Sequence, residues 1–81
     1  MIAGPNSLLT RRELQILALV AEGGSAKEVA IACGIAPRTV ESHLDAMRLK
    51  LGARNRVHMV ARAFHLDILS SQSLQDGLAL A

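Results

Sequence analysis

The basic side chains of this chain crowd into its middle. Lys27, Arg38, Arg48, Lys50, Arg54, Arg56 and Arg62 all lie between Ser25 and Arg62, a stretch with only three acids, Glu28, Glu41 and Asp45. Residues 63–81 add only Asp67 and Asp76. Cations gathered in this way suit a polyanion, phosphate above all. The one aromatic side chain is Phe64. Proteins that read RNA or single strands stack bases on aromatic rings, so a nucleic-acid partner of this chain is expected to be a duplex.

Other chemistry finds no footing. His58 and His65 share a helical face but lack the further ligands a metal needs. His43 is expected to pack or to bridge helices. Cys33 is the only cysteine; it can form no internal bridge and reads as a small buried hydrophobe. One unpaired thiol suits a reducing, cytoplasmic setting. No Ser/His/Asp cluster, phosphate-binding loop or cleft-facing carboxylate pair is present, so neither catalysis nor a cofactor is expected. The longest uninterrupted apolar run, Ile16 to Ala21, is far short of the about 18 residues of a membrane span. A soluble domain with no membrane partner is expected.

Helices must position the basic residues, since no alternation of period two occurs. A lead over residues 1–7 holds Gly4, Pro5 and Asn6 and is expected to be flexible. Thr10 with Glu13 three residues on makes a capping box, opening a first helix from Arg11 to about Glu22 that is apolar nearly all round. Ser25 and Glu28 repeat the signature for a short second helix, with Ala26, Val29, Ala30 and Cys33 inward and Gly34 closing it. Pro37 suits a first helical position, so a third helix runs from Pro37 to about Leu51 and stops at Gly52. Asn55 caps a fourth, to about Leu66. Eighty-one residues thus form one small all-α domain resembling a four-helix bundle, over residues 8–68, with a tail over 69–81.

The join between the second and third helices is the informative one. A steep crossing needs a small residue where helices touch, and Ala30 is small. A sharp turn needs a residue tolerant of positive φ, and Gly34 is one. Val40 then begins the inner face of the third helix. Short helix, glycine turn, longer helix is the plan of a helix-turn-helix. At about 100° per residue, Val40, Leu44, Met47 and Leu51 fall on one stripe and must be core. The opposite face presents Arg38, Glu41, Ser42, Asp45 and Leu49, with Arg48 at its edge.

Four motifs extend the pattern. Leu9-Thr10-Arg11-Arg12-Glu13, Lys27-Glu28-Val29-Ala30, Arg38-Thr39-Val40-Glu41-Ser42-His43 and Lys50-Leu51-Gly52-Ala53-Arg54-Asn55-Arg56 together resemble the DNA-binding domain of LuxR/GerE-type bacterial transcription regulators, over about residues 8 to 68. The resemblance implies four helices (the winged-helix-like, LuxR C-terminal type), the third in the major groove, and dimerisation largely through the fourth. It implies sequence-specific binding of double-stranded DNA, transcription regulation in the bacterial cytoplasm at the nucleoid, and RNA polymerase as a further partner. It places Glu41, Ser42 and Asp45 at base-facing positions, and Lys27, Thr39, Lys50 and Arg56 at phosphate-contacting or phosphate-facing ones. Arg38, opening the third helix, joins the phosphate set, while Arg54 reads as a surface charge.

Relatives often carry basic residues where this chain has Glu41 and Asp45. A carboxylate repels phosphate but accepts a hydrogen bond from cytosine N4. The alternative this motivates is a helical interaction module that has lost useful DNA binding and acts through mixed dimers; a sigma-factor-like promoter-recognition domain is a second. On the fourth helix, Val57, Val60, Ala61, Phe64 and Ile68 read as the core stripe. Met59, Ala63 and Leu66 then form a second apolar strip, expected at the homodimer interface or under the tail residues Leu74, Leu78 and Leu80.

Overall fold

The computed structural model describes residues 8–69. Its helices are α1 (Arg11–Ala21), α2 (Ala26–Cys33), α3 (Pro37–Leu51) and α4 (Arg56–His65), with no strand among the described residues. Both expected capping boxes are present. The Thr10 hydroxyl accepts from the Glu13 amide and the Glu13 carboxylate from the Thr10 amide; Ser25 and Glu28 do the same for α2. Ala36 offers α3 no side-chain cap, and Pro37 at the first turn lacks one of the amides that would need it.

Two glycines make the turns possible. Gly34 closes α2 in the left-handed region at φ 68°, and the Ile35 amide then reaches back to the Ala30 carbonyl at 3.0 Å. Gly24 serves a different need. A Cβ there would stand 3.0 Å from the Leu19 carbonyl oxygen and 3.2 Å from a Val29 methyl, so only glycine lets α2 pack so close to the end of α1.

The core lies between all four helices. Val40, Leu44, Met47 and Leu51 of α3 are buried, as their spacing requires, against Ile16, Leu17, Val20, Val29 and Ala30. Each large side chain buried in this way contributes roughly 1.5–3 kcal/mol. Ala30, 3% exposed, sits where α2 meets the core. Cys33 is half-buried and packs against the cluster. Arg12 Nη1 donates to the Cys33 carbonyl at 2.9 Å, tying α1 to the last turn of α2.

The orientation of α4 is the reverse of the expected one. Met59 and Ala63 are fully enclosed and Leu66 packs against the core, whereas Val57 is 80% exposed, Phe64 40% exposed, and Ala61 exposed. Met59, Ala63 and Leu66 are therefore core residues, not an interface. Both strips are apolar, so composition did not choose between them. Tertiary anchors did. Arg62, on the same side as Met59, donates from Nε to the Leu51 carbonyl at 2.8 Å, and the small Ala63 lets that side approach closely. The helix also ends at His65, and Asp67 at φ 60° turns the chain back, returning Ile68 and Leu69 to the core. Ile68 thus never joins a stripe with Val57 and Phe64. The lead over 1–7 and the tail from residue 70, including Leu74, Leu78 and Leu80, lie outside the described residues.

The two faces of α4 separate by mutation. Ala63→Glu puts a charge into the core and should cost on the order of 4 kcal/mol, abolishing the cooperative thermal transition in circular dichroism. Val57→Glu should leave helicity intact and stability within about 0.5 kcal/mol. A folded Ala63→Glu variant would contradict this orientation.

Candidate nucleic-acid interface

The outer face of α3 is built by its inner one. With Val40, Leu44, Met47 and Leu51 fixed in the core, Arg38, Glu41, Ser42, Asp45 and Leu49 are held outward, and all five are exposed. Thr39 and Lys27, in the first turns of α3 and α2, are exposed too. Lys27, Arg38, Thr39, Ser42 and Asp45 make no side-chain hydrogen bond or ion pair to another described residue, so their polar groups are available to a partner.

The remaining expected contacts are already engaged inside the protein. Arg56 Nη2 lies 3.4 Å from Glu41 Oε1, bringing an expected phosphate contact onto an expected base contact. Lys50 Nζ donates to Glu13 Oε1 at 2.8 Å, a partner 37 positions away that local sequence patterns do not reveal. Glu13 is 4% exposed. Burial alone pushes its carboxyl up, but the Lys50 hydrogen bond, the Thr10 amide and the positive charge of Lys50, then of His43, together hold it below the usual carboxylate range. His43 stands two turns before Lys50 on the same side of α3. Sequence reading gave Glu13 only its capping role. The signal for more was its place on a helix otherwise apolar on that side.

Several other cations also stay home. Arg48 Nη1 donates to the Ala53 carbonyl at 3.4 Å, and Arg62 to the Leu51 carbonyl. Both help satisfy carbonyls at the end of α3, where positive charge is favourable. Between α3 and α4 runs a cleft of about 220 Å³ whose walls include Glu41, Asp45, Arg48, Arg54 and Arg56. Among the described residues no group of histidine, cysteine and carboxylates could hold a metal ion, and no helix is long and apolar enough to cross a membrane.

An α2–α3 pair crossing over Ala30, turned by Gly34 and exposing one polar face, defines a helix-turn-helix protein of the all-α class. The chain belongs to the luxR family of bacterial regulatory proteins, which it matches over residues 7–63. It is 44% identical over 61 residues to the transcriptional activator protein VanR of Vibrio anguillarum, covering 75% of this chain and 25% of that protein. It is 38% identical over 64 residues to the transcriptional regulatory protein UhpA of Salmonella typhimurium, covering 79% and 33%. A solved structure of the transcription factor GerE superposes with a TM-score of 0.75 at 33% identity, over 78% of this chain and 94% of that one. The chain thus spans a quarter to a third of the length of these two longer relatives. All three are named for roles in transcription.

Glu13 makes two measurable demands. Its depressed folded pKa contributes stability that is fully present above the unfolded value, about 4.3, and is lost as pH falls through the folded value. Glu13→Gln should therefore flatten the stability decline below about pH 4.3 relative to the parent chain. Lys50→Ala strands the buried carboxylate and should cost about 2 kcal/mol, measured by urea unfolding at pH 7. An unchanged unfolding midpoint for Lys50→Ala would mean the ion pair does not form.

Proposed function

We propose that this domain binds duplex DNA sequence-specifically and regulates transcription in the bacterial cytoplasm, with α3 in the major groove. The observation that carries the reading is the polar outer face of α3, presented by a helix whose other face is entirely core. Glu41, Ser42 and Asp45 read base edges. Lys27, Arg38 and Thr39 hold the phosphates flanking them, the lysine and arginine by charge and the threonine by its hydroxyl. Lys50 is withdrawn from that set, because its charge is spent on Glu13. The LuxR-family relatives named as transcription activators and regulators support the same reading.

The domain acts as a homodimer through the exposed side of α4. Val57, Ala61 and Phe64 recur at helical spacing on that side, and Val57 and Ala61 continue into a groove of about 410 Å³ with Val20, Ala21 and Val60. An apolar strip of this kind is costly to leave in water and suits a self-complementary two-fold contact. Two recognition helices would then address half-sites about one helical turn apart.

Titration against duplex DNA at several salt concentrations tests the assignment. Affinity should fall steeply with salt, and Lys27→Ala and Arg38→Ala should each flatten the log–log slope by roughly one. Lys50→Ala, compared where it is still folded, should leave the slope unchanged. Absence of duplex binding at low salt would favour the interaction-module reading, for which the two carboxylates on α3 speak.

Self-association has its own check. Val57→Glu should retain single-site binding but lose cooperative binding to a two-half-site duplex by roughly tenfold or more, since a dimer contact of about 1.4 kcal/mol or greater is removed. Retained cooperativity in Val57→Glu would exclude this side of α4.

A further inference from the structure

Arg56 occupies an unusual place. It is the first residue of α4, and it lines both the cleft toward α3 and the apolar groove along α1 and α4. Its backbone is firmly set. The Asn55 side chain accepts from the His58 amide at 2.8 Å, and His58 Nδ1 accepts from the Arg54 amide at 3.0 Å. From this braced turn the guanidinium reaches across to the recognition helix and donates to one oxygen of Glu41.

We propose that Arg56 is a specificity-determining positioning residue that acts through Glu41 rather than only a phosphate contact. The inference rests on the base-reading role given to Glu41 above. A carboxylate carried alone into the major groove is repelled by phosphates on both sides and loses its water. A guanidinium bound to Oε1 offsets that repulsion and leaves Oε2 free to accept from a cytosine amino group. While both side chains face water, 43% and 56% exposed, the pair is weak. Displacement of that water by DNA lowers the local dielectric and strengthens it. The planar guanidinium has donors to spare, so a phosphate can be contacted at the same time.

The pairing also has a structural logic of its own. Arg56 joins the helix proposed to carry the dimer contact to the helix proposed to read bases. A second copy seated on the Val57 side would lie beside the turn from which Arg56 projects, so the dimer contact and the Glu41 pair would share one rigid support. Lys27 and Arg38, by contrast, make no hydrogen bond or ion pair with a base-facing side chain among the described residues. Of the exposed cations, Arg56 is the one bound to a candidate base reader.

Selection of binding sites from a random duplex library separates this role from phosphate binding. It would be run with the whole chain, unaltered and as Glu41→Ala, Arg56→Gln, Arg56→Lys and the Glu41→Ala/Arg56→Gln pair. Glu41→Ala should lose discrimination at one base pair by about 5- to 100-fold. Arg56→Gln should lose most of the discrimination at that same base pair, Arg56→Lys should keep much of it, and the double variant should be no worse there than Glu41→Ala. If Arg56→Gln weakens all sites alike and leaves the preference intact, Arg56 is a phosphate contact and the proposal is overturned. If Glu41→Ala still binds DNA with an unchanged preference, the base-reading role of Glu41 falls, and the role given to Arg56 falls with it. Failure of the unaltered chain to select any site would overturn the DNA-binding reading as a whole.

Discussion

Glu13 is the one charged residue buried among the described residues, and much of the geometry answers to it. A buried carboxylate is tolerable only with its lone pairs satisfied and its charge matched. Here one oxygen, Oε1, accepts from two partners far apart in sequence, the Thr10 amide at the start of α1 and the Lys50 ammonium in the last turn of α3, and the second also matches the charge. The first turn of α1 is thereby locked to the end of α3. Such a pair adds little net stability over an apolar contact of the same size. Its larger effect is registration, because sliding or rotating α3 against α1 would strand the charge. The outward aim of Arg38, Glu41 and Asp45 depends on that rotation.

The same economy governs the arginines. Arg12, Arg48 and Arg62 each donate to a backbone carbonyl at or just beyond a helix end, where α2 and α3 leave orphan acceptors. The Arg12 and Arg62 bonds join α1 to α2 and α4 to α3, so they orient whole helices as well as completing their termini, whereas the Arg48 bond closes the turn after α3. Charge counted along the sequence therefore overstates the charge offered to a partner. Five of the nine lysines and arginines hold a carbonyl or a carboxylate of the protein itself.

Where the determinants were local, the sequence was legible. Caps at Thr10, Ser25 and Asn55, stops at Gly34 and Gly52, and the α3 stripe all follow from rules spanning three or four residues, and the helices lie where those rules put them. The aim of α4 was not legible. Val57, Ala61 and Phe64 on one side and Met59, Ala63 and Leu66 on the other are equally apolar, so hydrophobic periodicity gives the helix but not its rotation. That rotation comes from Arg62 gripping the Leu51 carbonyl and from the reversal at Asp67, both tertiary events. The Lys50–Glu13 pair escaped notice for a related reason. On a helix surface Lys50 looks like any solvated lysine until α1 is folded beside it.

A recognition face with two carboxylates and one arginine repels phosphate slightly on balance. Such a face is workable only if attraction and discrimination reside on different elements. Phosphate contacts fix register and orientation without reading sequence, whereas base-edge contacts discriminate. Here the free cations stand at helix beginnings, Lys27 on α2 and Arg38 on α3, where backbone amides also point outward and favour anions. On the reading proposed above, discrimination is left to the middle of α3, where a misplaced carboxylate would be penalised by every nearby phosphate. That penalty sharpens selectivity. A carboxylate that finds a cytosine amino group is offset by a hydrogen bond; facing guanine O6 or thymine O4, it meets an acceptor and is offset by nothing. Weak attraction at the centre of the face is thus the physical condition under which Glu41 and Asp45, in the proposed role, would discriminate most strongly.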